Sequence, residues 1–311
     1  MRERSVAASL LGAAFCAALA LPIAWADPTP RIARVIASAA VARPATPPRS
    51  VRAVPRDLGH GQLIEGRCPP SMPRCIAFTF DDGPECRYTP RVLDALDARG
   101  IKATFFVVGH RIDGDDAYHT ANRAVLRDTL RRGHLIGNHT YHHVELDRLR
   151  EAPLADEIDR TEALIRRATG QRAWLLRAPF GALLRRRTVD AVFSRGYTPV
   201  YWELDTRDWA TPSVDAVVEG FRAALLESPR GGVVLIHDTH WWSVAALPRI
   251  LAVIDRRNAA LVAAGEEPYR FVNLDALYRP LGNETPRGMP LPRVHHHHDQ
   301  PSEAPSTSRQ P

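Results

Sequence analysis

Lysine is almost absent from this chain. Lys102 is the only one, so nearly all of the basic charge is arginine, a bias that reads as genome composition. Basic residues outnumber acidic ones by only 41 to 35. An excess this diffuse, with no nucleic-acid motif beside it, excludes the nucleic-acid-binding classes and leaves at most a weak pull toward an anionic cell envelope. Internal repeats are lacking, which excludes a solenoid. Long apolar runs are confined to the N-terminus, so no span through a bilayer is expected beyond it. Cysteine is scarce, with four in 311 residues.

The chain does have enough apolar residues, 45%, to bury a core in one large α/β domain or two ordinary ones. Arg2 and Arg4 precede an apolar run over residues 6–23, and Ala24-Trp25-Ala26 then offers a small-x-small cleavage site. This is the layout of a secretory signal peptide over residues 1–26, with an uncleaved anchor helix as the alternative. The protein is therefore expected to be exported, to the periplasm, the cell wall or the medium. Cys16 follows Phe15 rather than a small residue, so a lipoprotein site is not expected. Removing the signal leaves Cys68, Cys75 and Cys86, enough for one disulfide and one spare thiol. Cys68 and Cys75 bracket a Pro-rich turn and are the favoured pair, with Cys75 and Cys86 as the alternative.

Residues 27–66 are rich in Pro, Arg, Ala and Val without periodicity and read as a linker or arm. Residues 283–311 are rich in Pro, Ser and Gln and read as a disordered tail. His295 to His298 lie in that tail, without the fixed geometry a functional metal site needs. Between them, over residues 67–282, short apolar runs alternate with helical patterns. The runs cover residues 76–80, 103–108, 135–137, 174–177, 198–204, 233–236 and 271–273. Thr89 reads as an N-cap with Pro90 in the first turn, and Gly100 and Gly170 read as helix stops. Strands alternating with helices predict a parallel sheet of about seven β/α units, a distorted (β/α) barrel. An open doubly wound sheet is the alternative.

The unusual polar residues all follow predicted strands. Asp81 and Asp82 follow the first, His139 and His143 the third, and Arg177 closes the fourth. Asp205 and Asp208 come after the fifth and His237 after the sixth. In a parallel α/β barrel these ends converge at one mouth, where active sites assemble. His139 and His143 stand at i and i+4, a spacing that on a helical turn places both rings on one face. With one carboxylate they complete a three-ligand metal site with an open position. His142 leaves that pairing ambiguous. Adjacent Asp81 and Asp82 cannot both point the same way from an extended strand, so one can ligate while the other stays free as a base. Two histidines and a carboxylate also suit iron(II) oxygenase chemistry, but that reading gives Asp81, Asp208 and His237 no work.

Five motifs in this order resemble the polysaccharide deacetylase family, also called the NodB-homology domain or carbohydrate esterase family 4. They are Thr79-Phe80-Asp81-Asp82-Gly83-Pro84, His139-Thr140-Tyr141-His142-His143, Arg177-Ala178-Pro179-Phe180, Asp205-Thr206-Arg207-Asp208-Trp209 and Leu235-Ile236-His237. The resemblance covers roughly residues 74–280. It implies a seven-stranded distorted barrel and a divalent metal, most often Zn2+, with Co2+, Mn2+ or Fe2+ as alternatives. It implies Asp82, His139 and His143 as ligands, Asp81 as general base, Arg177 as its partner, and His237 tuned by Asp208 as general acid. Leu235 would line the acetyl pocket, and the Phe180 N–H would help to stabilise an oxyanion. Val144 departs from the proline the family often carries after the second metal histidine. Trp209, Trp241 and Trp242 are either sugar-stacking walls or packing for the rim. The expected activity is removal of N-acetyl groups from an acetylated polysaccharide by a monomer. De-O-acetylation and a catalytically dead glycan-binding domain are the alternatives.

Overall fold

The structure, a computed structural model, describes Cys68 and residues 71–278. The expected signal peptide, arm and His-rich tail lie outside the described residues. Strand β1 (Cys75–Asp81) is the axis of the fold, and all seven of its residues are buried. Strand β7 (Gly231–His237) runs parallel to it in unbroken register, from Cys75 opposite Gly231 to Asp81 opposite His237. Both read as near-continuous apolar runs because a parallel strand is covered on both faces. Alternation still sorts the side chains of β1. Ile76, Phe78 and Phe80 pack outward in one core cluster, while Ala77 belongs to a separate inner cluster with Phe106, Leu175 and Val233. Thr79 and Asp81 share the parity of Ala77 and so face the interior.

The remaining strands are β2 (Thr104–Val107), β3 (Leu135–Asn138), β4 (Leu175–Leu176), β5 (Thr198–Pro199), β6 (Leu204–Asp205) and β8 (Arg270–Phe271). The sheet order is β5-β4-β3-β2-β1-β7-β6, with every pairing parallel. Strand β8 pairs only with Cys75 and Ile76, at the start of β1 and below the point where β2 joins. The sequence predicts one strand over residues 198–204, but the structure divides it into β5 and β6 at opposite ends of the path. Pro199 has no N–H to continue a ladder. The Val200 N–H still reaches Leu176 O on β4, whereas the Glu203 N–H reaches Val233 O on β7. The chain therefore crosses the seam between residues 200 and 203, and the seven parallel strands curl into a distorted half-barrel that has no ladder between its end strands, β5 and β6.

Among the described residues seven α-helices flank the sheet: α1 (Thr89–Asp97), α2 (Ala117–Arg131), α3 (Glu151–Thr169), α4 (Arg186–Ser194), α5 (Val214–Glu227), α6 (Trp241–Ala263) and α7 (Leu274–Leu277). Gly170 ends α3 in the left-handed conformation, as its position suggests. Thr89 is not the N-cap of α1. It is the first helical residue, and its hydroxyl accepts from the Glu85 N–H and donates to Asp238 instead. Helix α2 has no legible apolar stripe because its buried face includes Asn122 and Thr129 beside Leu126. Cys68 and Cys75 form the favoured disulfide, with Cα atoms 5.5 Å apart. Cys86 is buried, and its backbone N–H donates to Asn122 Oδ1 at 2.8 Å. Among the described residues no helix is long and apolar enough to cross a membrane.

The outer core depends on α5 and α6 closing over β1 and β7. Phe221 is fully buried there with Phe78, Ile250 and Ile254. Phe221→Ala should cost about 3–5 kcal/mol of unfolding free energy, measured by denaturant titration.

Candidate metal and acid–base site

The loops that follow β1, β3, β4, β6 and β7 bring the expected residues together at one mouth. Asp82, His139 and His143 each present a ligand atom, and these atoms lie within 4.8 Å of one another. His143 Nε2 is 3.1 Å and His139 Nε2 3.4 Å from Asp82 Oδ1. That oxygen is buried and has no hydrogen-bond partner. A buried acceptor left unsatisfied is costly, and a divalent cation bound between these three groups would satisfy it. His139 Nδ1 donates to the Arg177 carbonyl at 2.7 Å, which fixes the tautomer and leaves Nε2 as a lone-pair donor. Burial lowers the His143 pKa to about 4, so its ring is neutral at neutral pH, as a ligand must be. Burial would raise the Asp82 carboxyl, but the neighbouring His139 and the charges of His237 and His143 hold it well below the usual carboxylate range. The donor set fits a divalent metal such as zinc.

Local backbone conformation explains how one short loop supplies two ligands. The sequence suggests a helical turn for His139 to His143, but this segment is not helical. Thr140 and His143 both have positive φ, 66° and 57°, and that double reversal brings the rings together with centroids 5.0 Å apart. Asp82 (φ 72°), Phe180 (φ 60°) and Arg207 (φ 54°) complete the non-glycine residues of this type among those described. All five lie just beyond strand ends at the mouth. Such conformations persist only where the surroundings hold them. At Gly83 a Cβ would lie 2.5 Å from both Asp238 carboxylate oxygens, so the turn after Asp82 requires glycine. Burial pushes Asp238 itself up to about 7.

His142 is not among the ligands. Its Nδ1 lies 2.6 Å from Glu157 Oε1 instead, which resolves the ambiguity in the His-rich motif.

Beside the ligand set, Asp81 is buried and its Oδ1 accepts from Arg177 Nη1 at 2.8 Å. Its Oδ2 faces His139 Nε2 at 3.7 Å, on the metal side. Across the site, His237 Nδ1 is 2.8 Å from Asp208 Oδ1, and His237 Nε2 points inward, 4.0 Å from Asp82 Oδ2. Burial disfavours charge on His237, but the Asp208 carboxylate outweighs it and raises the pKa to about 10. Burial would raise the Asp208 carboxyl, but the charge and hydrogen bonds of His237 and the Ser243 hydroxyl together hold it below the usual carboxylate range. Its Oδ2 also accepts from the His237 N–H and the Ser243 hydroxyl. Neither Ser243 nor Thr79, whose hydroxyl oxygen accepts from Arg177, was legible as a site residue from the sequence. Each is an ordinary small polar residue whose role depends on a distant partner.

The expected substrate-contact residues divide by exposure. Leu235 is buried in β7. Phe180 is 60% exposed, with its ring 4.9 Å from that of His143. Trp209 is 37% and Trp241 54% exposed. Trp242 is half-buried, donates its indole N–H to Asp208 O and stacks on His240 at 4.5 Å. A file of rings therefore runs from His237 through His240 and Trp242 to Trp241 at the surface.

The fold and site together are those of a parallel α/β protein with a two-histidine, one-carboxylate cluster flanked by a second carboxylate and a third histidine. Residues 69–200 match the family described as polysaccharide deacetylase. The chain belongs to the polysaccharide deacetylase family. It is 32% identical over 208 residues to a peptidoglycan-N-acetylglucosamine deacetylase of Bacillus cereus, covering 66% of this chain and 68% of the relative. It is 36% identical over 166 residues to a chitooligosaccharide deacetylase of a Bradyrhizobium species, covering 53% and 71%. A solved structure described as T48 deacetylase with substrate superposes with a TM-score of 0.57 at 30% identity, covering 68% of this chain and 97% of that one.

The origin of the His237 charge can be tested on metal-free protein. Asp208→Asn should bring the His237 pKa down from about 10, followed by NMR titration of the ring. The stability this pair contributes is fully present below the unfolded-state pKa of histidine and is lost as pH rises through the folded value.

Proposed function

We propose that this protein is an exported, metal-dependent deacetylase that removes N-acetyl groups from an N-acetylglucosamine-containing glycan and releases acetate. The observation that carries the reading is the orphaned Asp82 Oδ1 between His139 and His143, with Asp81 on one side and His237 on the other. Asp82, His139 and His143 would hold the ion, zinc by the chemistry of the donors. When bound, the metal would acidify water and polarise the acetyl carbonyl.

The chain's own residues account for the proton movements. Asp81 is tied to Arg177 through Oδ1 and keeps Oδ2 free to take the proton of the attacking water. The Phe180 N–H serves as a backbone donor to the developing oxyanion. As the C–N bond breaks, His237 delivers its Nε2 proton to the leaving amine, and Asp208 holds the ring through Nδ1. The ring file ending at Trp241, with Trp209 and Phe180, offers exposed aromatic faces for sugar rings. Leu235 lines the floor for the acetyl methyl.

Residues 67–282 form the catalytic unit in this reading, behind a signal peptide and arm, and the enzyme acts as a monomer. The relatives named above are deacetylases of peptidoglycan and chitooligosaccharide, and their activities support a glycan of this type as substrate.

Acetate release should be measured on peptidoglycan, chitin oligomers and acetylated xylan, with and without chelator. Release from the first two that stops on chelation supports the reading; chelator-insensitive release, or release from xylan alone, sinks it. Asp81→Asn should keep bound metal yet lose roughly two to four orders of magnitude in rate. Asp82→Ala should lose metal and activity together, scored by elemental analysis.

A further inference from the structure

The loop from His139 to His143 would supply two of three metal ligands, yet it lies in no helix or strand and contains two residues with positive φ. Such residues persist only where the surrounding structure holds them. Unsupported, the segment would relax and its two rings would separate. We infer that Glu157, on α3 and outside every motif of the site, is the positioning residue that holds this loop in its metal-binding conformation. The inference rests on the metal reading above.

The geometry is specific. Glu157 is buried, with 6% exposure. Its Oε2 accepts from the backbone N–H of Tyr141 at 2.9 Å and of His142 at 2.8 Å. Its Oε1 takes the His142 ring at 2.6 Å. One carboxylate thus satisfies two consecutive amides at the centre of the loop and turns the intervening histidine away from the metal. Hydrogen bonds to a buried carboxylate are about twice as strong as neutral ones. The next residue of α3 helps: the Ile158 carbonyl accepts from Asn138 Nδ2, while Asn138 Oδ1 accepts from the Thr140 N–H. The loop carbonyls of Thr140 and Tyr141 accept from the Gly109 and His110 N–H groups. The His110 ring also reaches the Tyr141 carbonyl, with Nδ1 at 3.1 Å, but Glu157 is the side chain that takes the two consecutive amides. Its distance from the reacting atoms makes it a positioning group rather than a catalytic one.

The test is zinc affinity, read by competition with a chromophoric chelator on folded full-length protein. Glu157→Ala leaves two amides without their acceptor and should weaken zinc binding about 10–100-fold, the usual cost of losing a partner behind the ligands. Glu157→Gln keeps an oxygen for the amides and should recover most of that affinity. Phe221→Ala, destabilised in a distant core, should bind zinc as the parent does. Parental affinity in folded Glu157→Ala, with zinc bound by the parent, overturns this inference alone. A parent that takes up no zinc overturns the metal reading and the inference with it. Should the alanine variant not fold, hydrogen exchange on the parent decides. Slow exchange at the Tyr141 and His142 amides, kept in Glu157→Gln, supports the clamp; fast exchange in the parent refutes it.

Discussion

The buried pairing of Arg177 with Asp81 is the contact on which the rest of the site depends. Arg177 is almost wholly inaccessible, and its guanidinium reaches Thr79 and Asp81 on β1 and the carbonyls of Val200 and Tyr201 in the seam. It also lies 4.4 Å from the centroid of the Phe106 ring. A buried ion pair is no certain source of stability, because desolvation offsets much of the attraction. Breaking one by removing a single partner is another matter, since it leaves an unpaired charge inside. This pair therefore enforces an arrangement: it spans the barrel interior, closes the seam where β5 and β6 do not pair, and leaves one Asp81 oxygen free. Through its own carbonyl, Arg177 also sets the His139 tautomer.

A second constraint is local strain at the strand ends. The sheet delivers residues to the mouth but cannot aim them, because an extended strand alternates its side chains. The five non-glycine residues with positive φ break that alternation where the site needs it. Asp81 keeps the inward parity of β1, and Asp82 departs from it. In this way neighbouring carboxylates acquire separate surroundings, one against a guanidinium and one between imidazoles. Supports placed elsewhere hold the strained turns, among them Asp238 against Gly83 and Glu157 under the histidine loop.

Much of this was legible in the chain itself. The apolar runs marked β1, β2, β3 and β7 because these strands are long enough and buried on both faces. The polar residues after them marked the mouth. The run over 198–204 misled because apolar composition does not show where a ladder changes partner. Helix α2 escaped notice because its buried face is partly polar, and Thr89 looked like a cap because a hydroxyl does not reveal which group it will bond. The His139–His143 spacing pointed to the two rings that the structure sets beside Asp82, but through a helical turn in place of a loop with positive φ at Thr140 and His143.

The sequence alone determined the barrel class, the ligand types and the acid and base candidates, since these follow from hydrophobic period and from the chemistry of residue types at strand ends. Only the tertiary structure decided how they are divided. It placed His142 on Glu157 rather than beside His139 and His143, set Ser243 on Asp208, and left Asp82 Oδ1 without a partner. Those outcomes depend on contacts between residues 15 to about 100 positions apart. Such contacts are set by how helices pack on the sheet, which no local pattern records.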